Sequence, residues 1–448
     1  MTALLHPDAR LLDATSGELL GGAALRDRVG TLAAELAALP PGVLFARCGL
    51  DVPSVLNYLS AFTAGRAVAM IDTSVEAETV AALVDRFRPA AVLGADPEIP
   101  APAGYSGDWR RISPDGVPPH PDLAVVLPTS GSTGNPKFIR LSRSAVLANA
   151  GSIAEALGLT AAEIAPTSLP LNYSYGLSVL NSHLFVGATV LVEGTGIMSR
   201  AFWTAVTEHR ATSLAGVPYH YEMLRKLKFD PAKYPSLRTL TQAGGKLSTD
   251  RIAEFAAKMH AVGGQLFVMY GQTEATARMA ILPAARVLDK LGSAGLAIPG
   301  GRFSIRDGEV IYHGPNVMMG YAEHEAELAE PDQLGGTLAT GDLGHLDEDG
   351  YLYITGRLKR IGKVFGNRVN LDDVEQLLKA HGVAAAVPGG DKIVIWLEGG
   401  EAESCRAVAK HLSERLHQHV SGFDVRGIDT LPLLSSGKID YRALEARG

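Results

Sequence analysis

From Thr129 to Lys137 the chain reads Thr129-Ser130-Gly131-Ser132-Thr133-Gly134-Asn135-Pro136-Lys137, entered from the apolar run Leu123–Leu127. A buried strand opening into hydroxyls, glycines and one lysine has the chemistry of an anion cradle. Glycines let backbone N–H groups close on a phosphate, and the hydroxyls and the ammonium add hydrogen bonds and charge. A Walker A loop would place Ser or Thr after the lysine; here Phe138 follows, and the next residues read as a strand. The rival interpretation is an ordinary Ser/Gly surface loop. Four further segments bear on the choice: Tyr270-Gly271-Gln272-Thr273-Glu274, Thr340-Gly341-Asp342-Leu343-Gly344, Gly356-Arg357-Leu358-Lys359-Arg360 and Ser435-Ser436-Gly437-Lys438. Taken singly they are a solvated glutamate, a turn, a basic surface turn and an exposed lysine. Their order and separations carry the information.

In that order the motifs resemble the superfamily of acyl-CoA synthetases, peptide-synthetase adenylation domains and firefly luciferase, and the resemblance extends across nearly the whole chain. It implies an α/β fold: a large N-terminal domain (1–357) of mixed β-sheets with packed helices and a β-rich subdomain over about 286–356, then a small mobile α+β C-terminal domain (358–448). It also implies an ATP- and Mg²⁺-dependent enzyme that converts an acid to an acyl-AMP, releases pyrophosphate and hands the acyl group on. Residue by residue, Thr129, Ser130, Gly131, Ser132, Thr133, Gly134 and Lys137 are expected on the phosphates. Gly244, Gly245, Lys246 and Leu247 correspond to the adenine-contacting turn, with Tyr270 packing on the base beside Gly271. Thr273 and Glu274 belong to the catalytic set, Glu274 also holding Mg²⁺. Asp342 accepts from both ribose hydroxyls, a task suited to a carboxylate. Arg357 reaches the ribose or phosphate, Lys359 is the hinge, and Lys438 is the adenylation lysine bridging carboxylate and α-phosphate.

The segment Leu169–Gly176 corresponds to one that lines the acyl pocket in the family, which assigns Tyr173, Tyr175 and Gly176 to the acid. Tyr173 stands where many acyl-CoA synthetases carry His. The Phe-Asp start by which amino-acid-activating domains face an α-ammonium is missing, so an aryl or fatty acid is expected over an α-amino acid. Tyr219 and His220, with Gly244, complete the expected pocket wall; core packing is the alternative role for the first two. Only ten residues follow Lys438, so transfer is expected to use a separate acceptor: coenzyme A, the phosphopantetheine of a carrier protein, or an amine. An adenylating enzyme for an unusual acid such as nitrite, a luciferase-like monooxygenase and a non-catalytic nucleotide-binding regulator are the other readings. The presence of Lys137, Glu274, Asp342 and Lys438 argues against the last.

These residues need a scaffold, and composition supplies one. The 448 residues are 46% hydrophobic and 20% charged, enough for a large core over two or three domains. A net charge of -7 without like-charge blocks argues against nucleic acid or a membrane surface and favours small-molecule partners. The N-terminus shows no basic segment followed by an apolar run, so a cytoplasmic location is expected. Cys48 and Cys405 lack metal-ligand spacing and read as ordinary residues. Strands are expected at Leu123–Leu127, Thr189–Val192, Gln265–Met269 and Lys392–Leu397, and helices over Ala23–Ala38, Val55–Ala64, Arg251–Met259, Leu371–Leu378 and Ala402–His419. Short strands and turns fill 286–356, and Pro97–Pro119 reads as an exposed connection.

Overall fold

The computed structural model describes residues 4–128, 137–358, 360–365, 367–434 and 437–447. The expectations for Thr129, Ser130, Gly131, Ser132, Thr133 and Gly134, and for Lys359, lie outside the described residues. By compactness the chain forms two units, Met1–Phe303 with Tyr312–Leu338, and Ser304–Ile311 with Ala339–Gly448. The division at 357/358 concerns motion, a separate criterion, and belongs to the proposal below.

Among its described residues the first unit holds three sheets. Its six-stranded sheet runs Gly320–Ala322, Phe138–Ser142, Leu123–Pro128, Val68–Asp72, Leu44–Cys48, Ala91–Leu93. The inner strands are apolar almost throughout because parallel strands covered on both faces have no solvent side to supply with polar residues. Leu123–Pro128 and Phe138–Ser142 pair antiparallel with Pro128 opposite Phe138, so the hydroxyl-rich run is the connection between them. A five-stranded sheet, Ser213–Gly216, Thr239–Gln242, Gln265–Tyr270, Ala280–Leu282, Leu296–Ala297, positions the next motifs. Its first three strands are parallel and in register to Gly216, Gln242 and Val268, the third running two residues further, so the turns after Gly216, Gln242 and Tyr270 emerge at one edge. The third sheet is Leu19–Gly21, Arg10–Asp13, Thr189–Val192, Ile164–Pro166.

Helices start where side chains supply the missing acceptors. Asp51 takes the Ser54 N–H at 2.7 Å ahead of Val52–Thr63, and Ser142 takes the Ala145 N–H at 3.0 Å ahead of Arg143–Leu157. Gly158 ends the latter helix with φ +64, a left-handed geometry that glycine adopts without strain. One expectation is corrected. Pro97–Pro119 is pinned rather than exposed along its length: Trp109 and Arg111 are buried, and the Tyr105 hydroxyl donates to the Pro89 carbonyl at 2.9 Å. The Arg111 guanidinium donates to the carbonyls of Arg88 and Pro41. Proline and glycine spacing reports backbone irregularity and says nothing of where two side chains will find cover.

The second unit holds most of the sheet Arg302–Arg306, Glu309–His313, Thr337–Leu346, Leu352–Arg357. Asp307-Gly308, both with positive φ, makes the tight turn of its first hairpin. Further along, Ala384–Pro388, Ile393–Glu398 and Phe423–Ile428 form a three-stranded sheet packed by helices Leu371–Leu377 and Ala402–Leu416 over a core including Val374, Ile395 and Leu412. Mixed sheets with packed helices ahead of a smaller α+β unit are the architecture the sequence implied. Cys48 and Cys405 are both free and buried, and burial pushes the Cys48 thiol up to about 12, far from a reactive thiolate. No helix among the described residues is long and apolar enough to cross a membrane.

Candidate active site

In the first unit the Tyr270–Glu274 motif leaves the strand Gln265–Tyr270 and turns at once. Thr273–Ala275 is a single 3₁₀ turn, followed by Thr276 at φ +58 and Ala277 at φ +114. Such geometry in residues with a Cβ costs about 1–3 kcal/mol each and persists only where neighbours over-determine it. They do so here. The Asn316 amide donates to the Ala275 carbonyl at 2.7 Å and the Arg278 carbonyl at 2.9 Å, and Thr276 Oγ1 donates to the Asn316 carbonyl at 2.6 Å. Tyr312 holds Asn316 Oδ1 at 2.8 Å, and the buried Asn149 amide takes the Arg278 carbonyl from the other side. The loop therefore presents Glu274 on a rigid base.

Glu274 Oε1 accepts the Tyr321 hydroxyl at 3.0 Å, and the Met318 N–H donates to the Glu274 carbonyl at 2.8 Å. Tyr321 stands on the edge strand Gly320–Ala322, which pairs with Phe138–Ser142. Arg140, fully buried, fastens that edge by donating to the carbonyls of Glu330 at 2.6 Å, Met319 at 3.1 Å and Pro331 at 3.4 Å. Just beyond the strand, Glu323 pairs with Lys137 at 2.5 Å, which holds its carboxyl below the usual range. The edge strand and the residue after it thus tie Glu274, through Tyr321, and Lys137, through Glu323, to neighbouring places.

The pocket segment meets the same motif. Ser174 Oγ lies 3.0 Å from Thr273 Oγ1, across 99 residues of sequence. Tyr175 is buried, its hydroxyl donating to the Thr241 carbonyl at 3.0 Å and sharing a hydrogen bond with Thr241 Oγ1 at 2.7 Å; Tyr173 stands edge-on to it with ring centres 6.2 Å apart. Burial pushes both phenols up, so both are neutral donors. Gly244 has φ +83, and a Cβ there would sit 2.3 Å from the Tyr173 hydroxyl, so only glycine leaves this ring its place. Gly176 is buried in the helix Ser174–Phe185. Gly245 and Lys246 are exposed in the turn after Thr239–Gln242, Gln242 Nε2 donating to the Gly245 carbonyl at 2.8 Å, while Leu247 turns inward. Tyr270 packs near Phe303, ring centres 6.4 Å apart.

Tyr219 and His220 begin the helix Pro218–Lys226. Tyr219 is the more exposed, whereas His220 Nδ1 is buried without a hydrogen-bond partner and burial pushes the ring down to about 4. The folded protein therefore resists a proton that the unfolded chain accepts near pH 6.5. Its stability is undiminished above that value and falls as pH drops from about 6.5 to about 4, by up to about 3 kcal/mol from this group. Urea unfolding at pH 7 and pH 4.5 should show His220→Phe losing less stability on acidification than the parent protein.

In the second unit Asp342 and Arg357 face each other across paired strands, Arg357 Nε donating to Asp342 Oδ1 at 2.9 Å. Asp342 is 2% exposed, while the Arg357 side chain is 58% exposed. Gly341 shapes the approach: its N–H donates to Glu309 at 2.9 Å and its carbonyl accepts from Leu358 at 2.8 Å. Lys438 is exposed on a turn closed by the Leu434 N–H donating to its carbonyl at 2.8 Å. Arg360, next to Lys359 in sequence, is tied to Glu375 at 2.7 Å and to Asp372, and lies 4.1 Å over the Tyr441 ring. Burial opposes its charge, but Glu375 and Asp372 more than offset that and raise it further.

Sequence reasoning missed Tyr321, Glu323, Asn316 and Arg278. Nothing in their local sequence marks them, because each acquires its role from a partner far along the chain. Among the described residues no three His, Cys, Asp or Glu side chains gather as a metal nest. Glu274 still fits Mg²⁺: it is a partly exposed carboxylate of hard oxygens, and Mg²⁺ takes one or two such ligands and completes its shell with phosphate and water.

Comparisons with known proteins place the chain in a family. A family model described as AMP-binding enzyme matches residues 3–322. A feruloyl-CoA synthase of Amycolatopsis sp is 30% identical over 398 residues, covering 83% of this chain and 77% of that protein. A sulfoacetate–CoA ligase of Cupriavidus necator is 29% identical over 481 residues, covering 96% of this chain and 92% of its own. In fold, the chain matches the O-succinylbenzoate coenzyme A synthetase (MenE) of Bacillus subtilis in complex with ATP and magnesium ion, with a TM-score of 0.76, 23% identity and coverage of 96% of this chain and 94% of that one. Motif order, strand topology and a family match over most of its length together establish that the chain belongs to the AMP-binding enzyme family, as an adenylate-forming ligase of the acyl-CoA synthetase type.

Proposed function

We propose that the protein is an ATP- and Mg²⁺-dependent acid–CoA ligase acting on an aryl carboxylic acid. A carboxylate oxygen bonds to the α-phosphorus of ATP, and the bond from that phosphorus to the bridging oxygen breaks, its electron pair leaving with pyrophosphate. The CoA thiol then adds to the acyl carbon, AMP departs with the carbonyl–oxygen bond, and the thiol proton passes to solvent. The observation that carries this reading is the Ser174–Thr273 contact, which joins the acid segment to the nucleotide motif. An acid and an α-phosphate have to meet at such a junction.

The main obstacle to the first step is the approach of two anions, so positioned charge and alignment are the levers. When bound at Glu274, Mg²⁺ would neutralise phosphate charge. In this proposal Lys137 and the hydroxyls from Thr129 to Thr133 orient the outer phosphates, Asp342 and Arg357 hold the ribose side, Tyr270 and Gly245–Leu247 cover the base, and Lys438 bridges the reacting oxygens. The C-terminal domain from 358 onward then turns about Lys359 for the thiol step. The tyrosine pair at Tyr173 and Tyr175 gives flat walls suited to a ring, and the likeness to a feruloyl-CoA synthase supports an aryl acid. The CoA synthase and CoA ligase names among the relatives support CoA over a carrier protein or an amine.

The test is pyrophosphate release with ATP, Mg²⁺ and a panel of aryl and aliphatic acids, followed by CoA and detection of the thioester by mass. Release with aryl acids that then form no thioester, but do form an amide with an added amine, would replace the acceptor assignment. A narrower check concerns Asp342. Asp342→Asn keeps the shape and one hydrogen bond to Arg357 but weakens two bonds to a ribose diol, so KM for ATP should rise about tenfold to a hundredfold. Thermal stability should change little, because Arg357 is solvated.

A further inference from the structure

Arg278 lacks what its chemistry demands. It is 2% exposed, in the loop that follows Glu274. Its guanidinium lies 4.6 Å over the Tyr175 ring, and Nη2 reaches Ser178 Oγ at 3.4 Å, long for a hydrogen bond. Nε is buried with no partner at all. The titratable groups that face it are the phenols of Tyr175 and Tyr173, both neutral, and no carboxylate among the described residues pairs with it. Arg140, buried as deeply, donates instead to three backbone carbonyls, and Arg111 has carbonyls with Glu325 at 3.8 Å. A guanidinium cannot shed its proton, and a buried charge left unpaired is strongly unfavourable. A site that retains one is arranged for a counter-charge that arrives with a ligand.

The helix Ser174–Phe185 shows where that counter-charge would sit. Ser174, at its first turn, contacts Thr273 of the nucleotide motif; Ser178, four residues on, contacts Arg278. Four residues of helix set Ser174 and Ser178 about 6 Å apart along its axis, so one face of the helix runs from the nucleotide motif to the guanidinium. Tyr175 lies between the two serines on the helix and Tyr173 directly precedes Ser174, the two rings assigned to the proposed acid pocket. We propose that the acid activated here carries a second carboxylate, held by Arg278 at the end of the pocket away from the reacting carboxylate. This assignment rests on the adenylation reading and names its substrate class.

The experiment measures pyrophosphate release with matched pairs: benzoate against benzene-1,4-dicarboxylate, and phenylacetate against 4-carboxyphenylacetate. The expected result is a kcat/KM about a hundredfold higher for each diacid, a preference that Arg278→Met abolishes and Arg278→Lys partly keeps. A role in packing alone would not move that ratio. Two thermal readouts accompany it: Arg278→Met should raise Tm by a few degrees by removing an unpaired buried charge, and the diacid without ATP should raise the Tm of the parent protein but not of the Met variant. Equal or better rates with the monoacids, or an Arg278→Met variant that loses both members of each pair alike with a lowered Tm, would overturn the assignment while adenylation stands. Release with no acid of either kind would remove the adenylation reading itself, and this inference with it.

Discussion

Alanine at Lys438 is expected to slow acid-dependent pyrophosphate release about a thousandfold while ATP affinity stays within a few-fold. Here backbone hydrogen bonds flank the lysine on both sides. Gly437 has φ +75, its N–H donates to the Leu434 carbonyl at 2.8 Å, and Leu433 and Ile439 form a β-bridge. Removing the side chain leaves these backbone features in place, so Tm should change little compared with the rate, and the rate lost at unchanged ATP affinity belongs to the transition state. Titration with a non-hydrolysable ATP analogue separates binding from chemistry. Unaltered pyrophosphate release would withdraw the role from Lys438.

Gly271→Ala should be as damaging for a steric reason. A Cβ at this position would lie 1.5 Å from the Ala277 carbonyl oxygen, 2.6 Å from its carbon and 3.0 Å from the Arg278 Cα. All three are backbone atoms, so no rotamer can relieve the contact. The opposing strand of the loop cannot retreat either, because Ala277 donates to the Gln272 carbonyl at 3.2 Å and Asn149 and Asn316 hold the Arg278 carbonyl. The loop from Gln272 to Arg278 has to break, at a cost of about 3 kcal/mol. Because Glu274 rides on that loop, catalytic rate and stability should fall together, measured by pyrophosphate release and urea unfolding. A variant of parental stability would show that the loop is not packed against Gly271 in solution.

Much of the fold follows from local pattern. The strand at Thr189–Val192 coincides with its expectation, and the helix expected over Ala23–Ala38 runs Gly22–Ala37. Where expectation and structure part, a single residue explains it. The helix expected to reach His419 ends at Leu416 because His417 adopts a left-handed φ of +50, its N–H donating to Ser413, and a 3₁₀ turn follows at Val420. The polarity of the segment gives no warning, since the break depends on one backbone angle.

By itself the sequence determined the chemistry on offer: a hydroxyl and glycine run ahead of Lys137, Glu274 after a turn, Asp342 ahead of Arg357, and Lys438 near the end. These are legible because phosphate, metal and ribose each require particular residue types at short, fixed spacing. The tertiary structure alone decided the surroundings of Arg278. In Ala-Thr-Ala-Arg-Met-Ala an arginine reads as a solvated cation, yet the chain buries Arg278 against Tyr175 with no carboxylate paired to it among the described residues. Spacing along the chain describes a residue's own backbone, whereas burial and counter-charge are set by segments that folding brings from a hundred residues away.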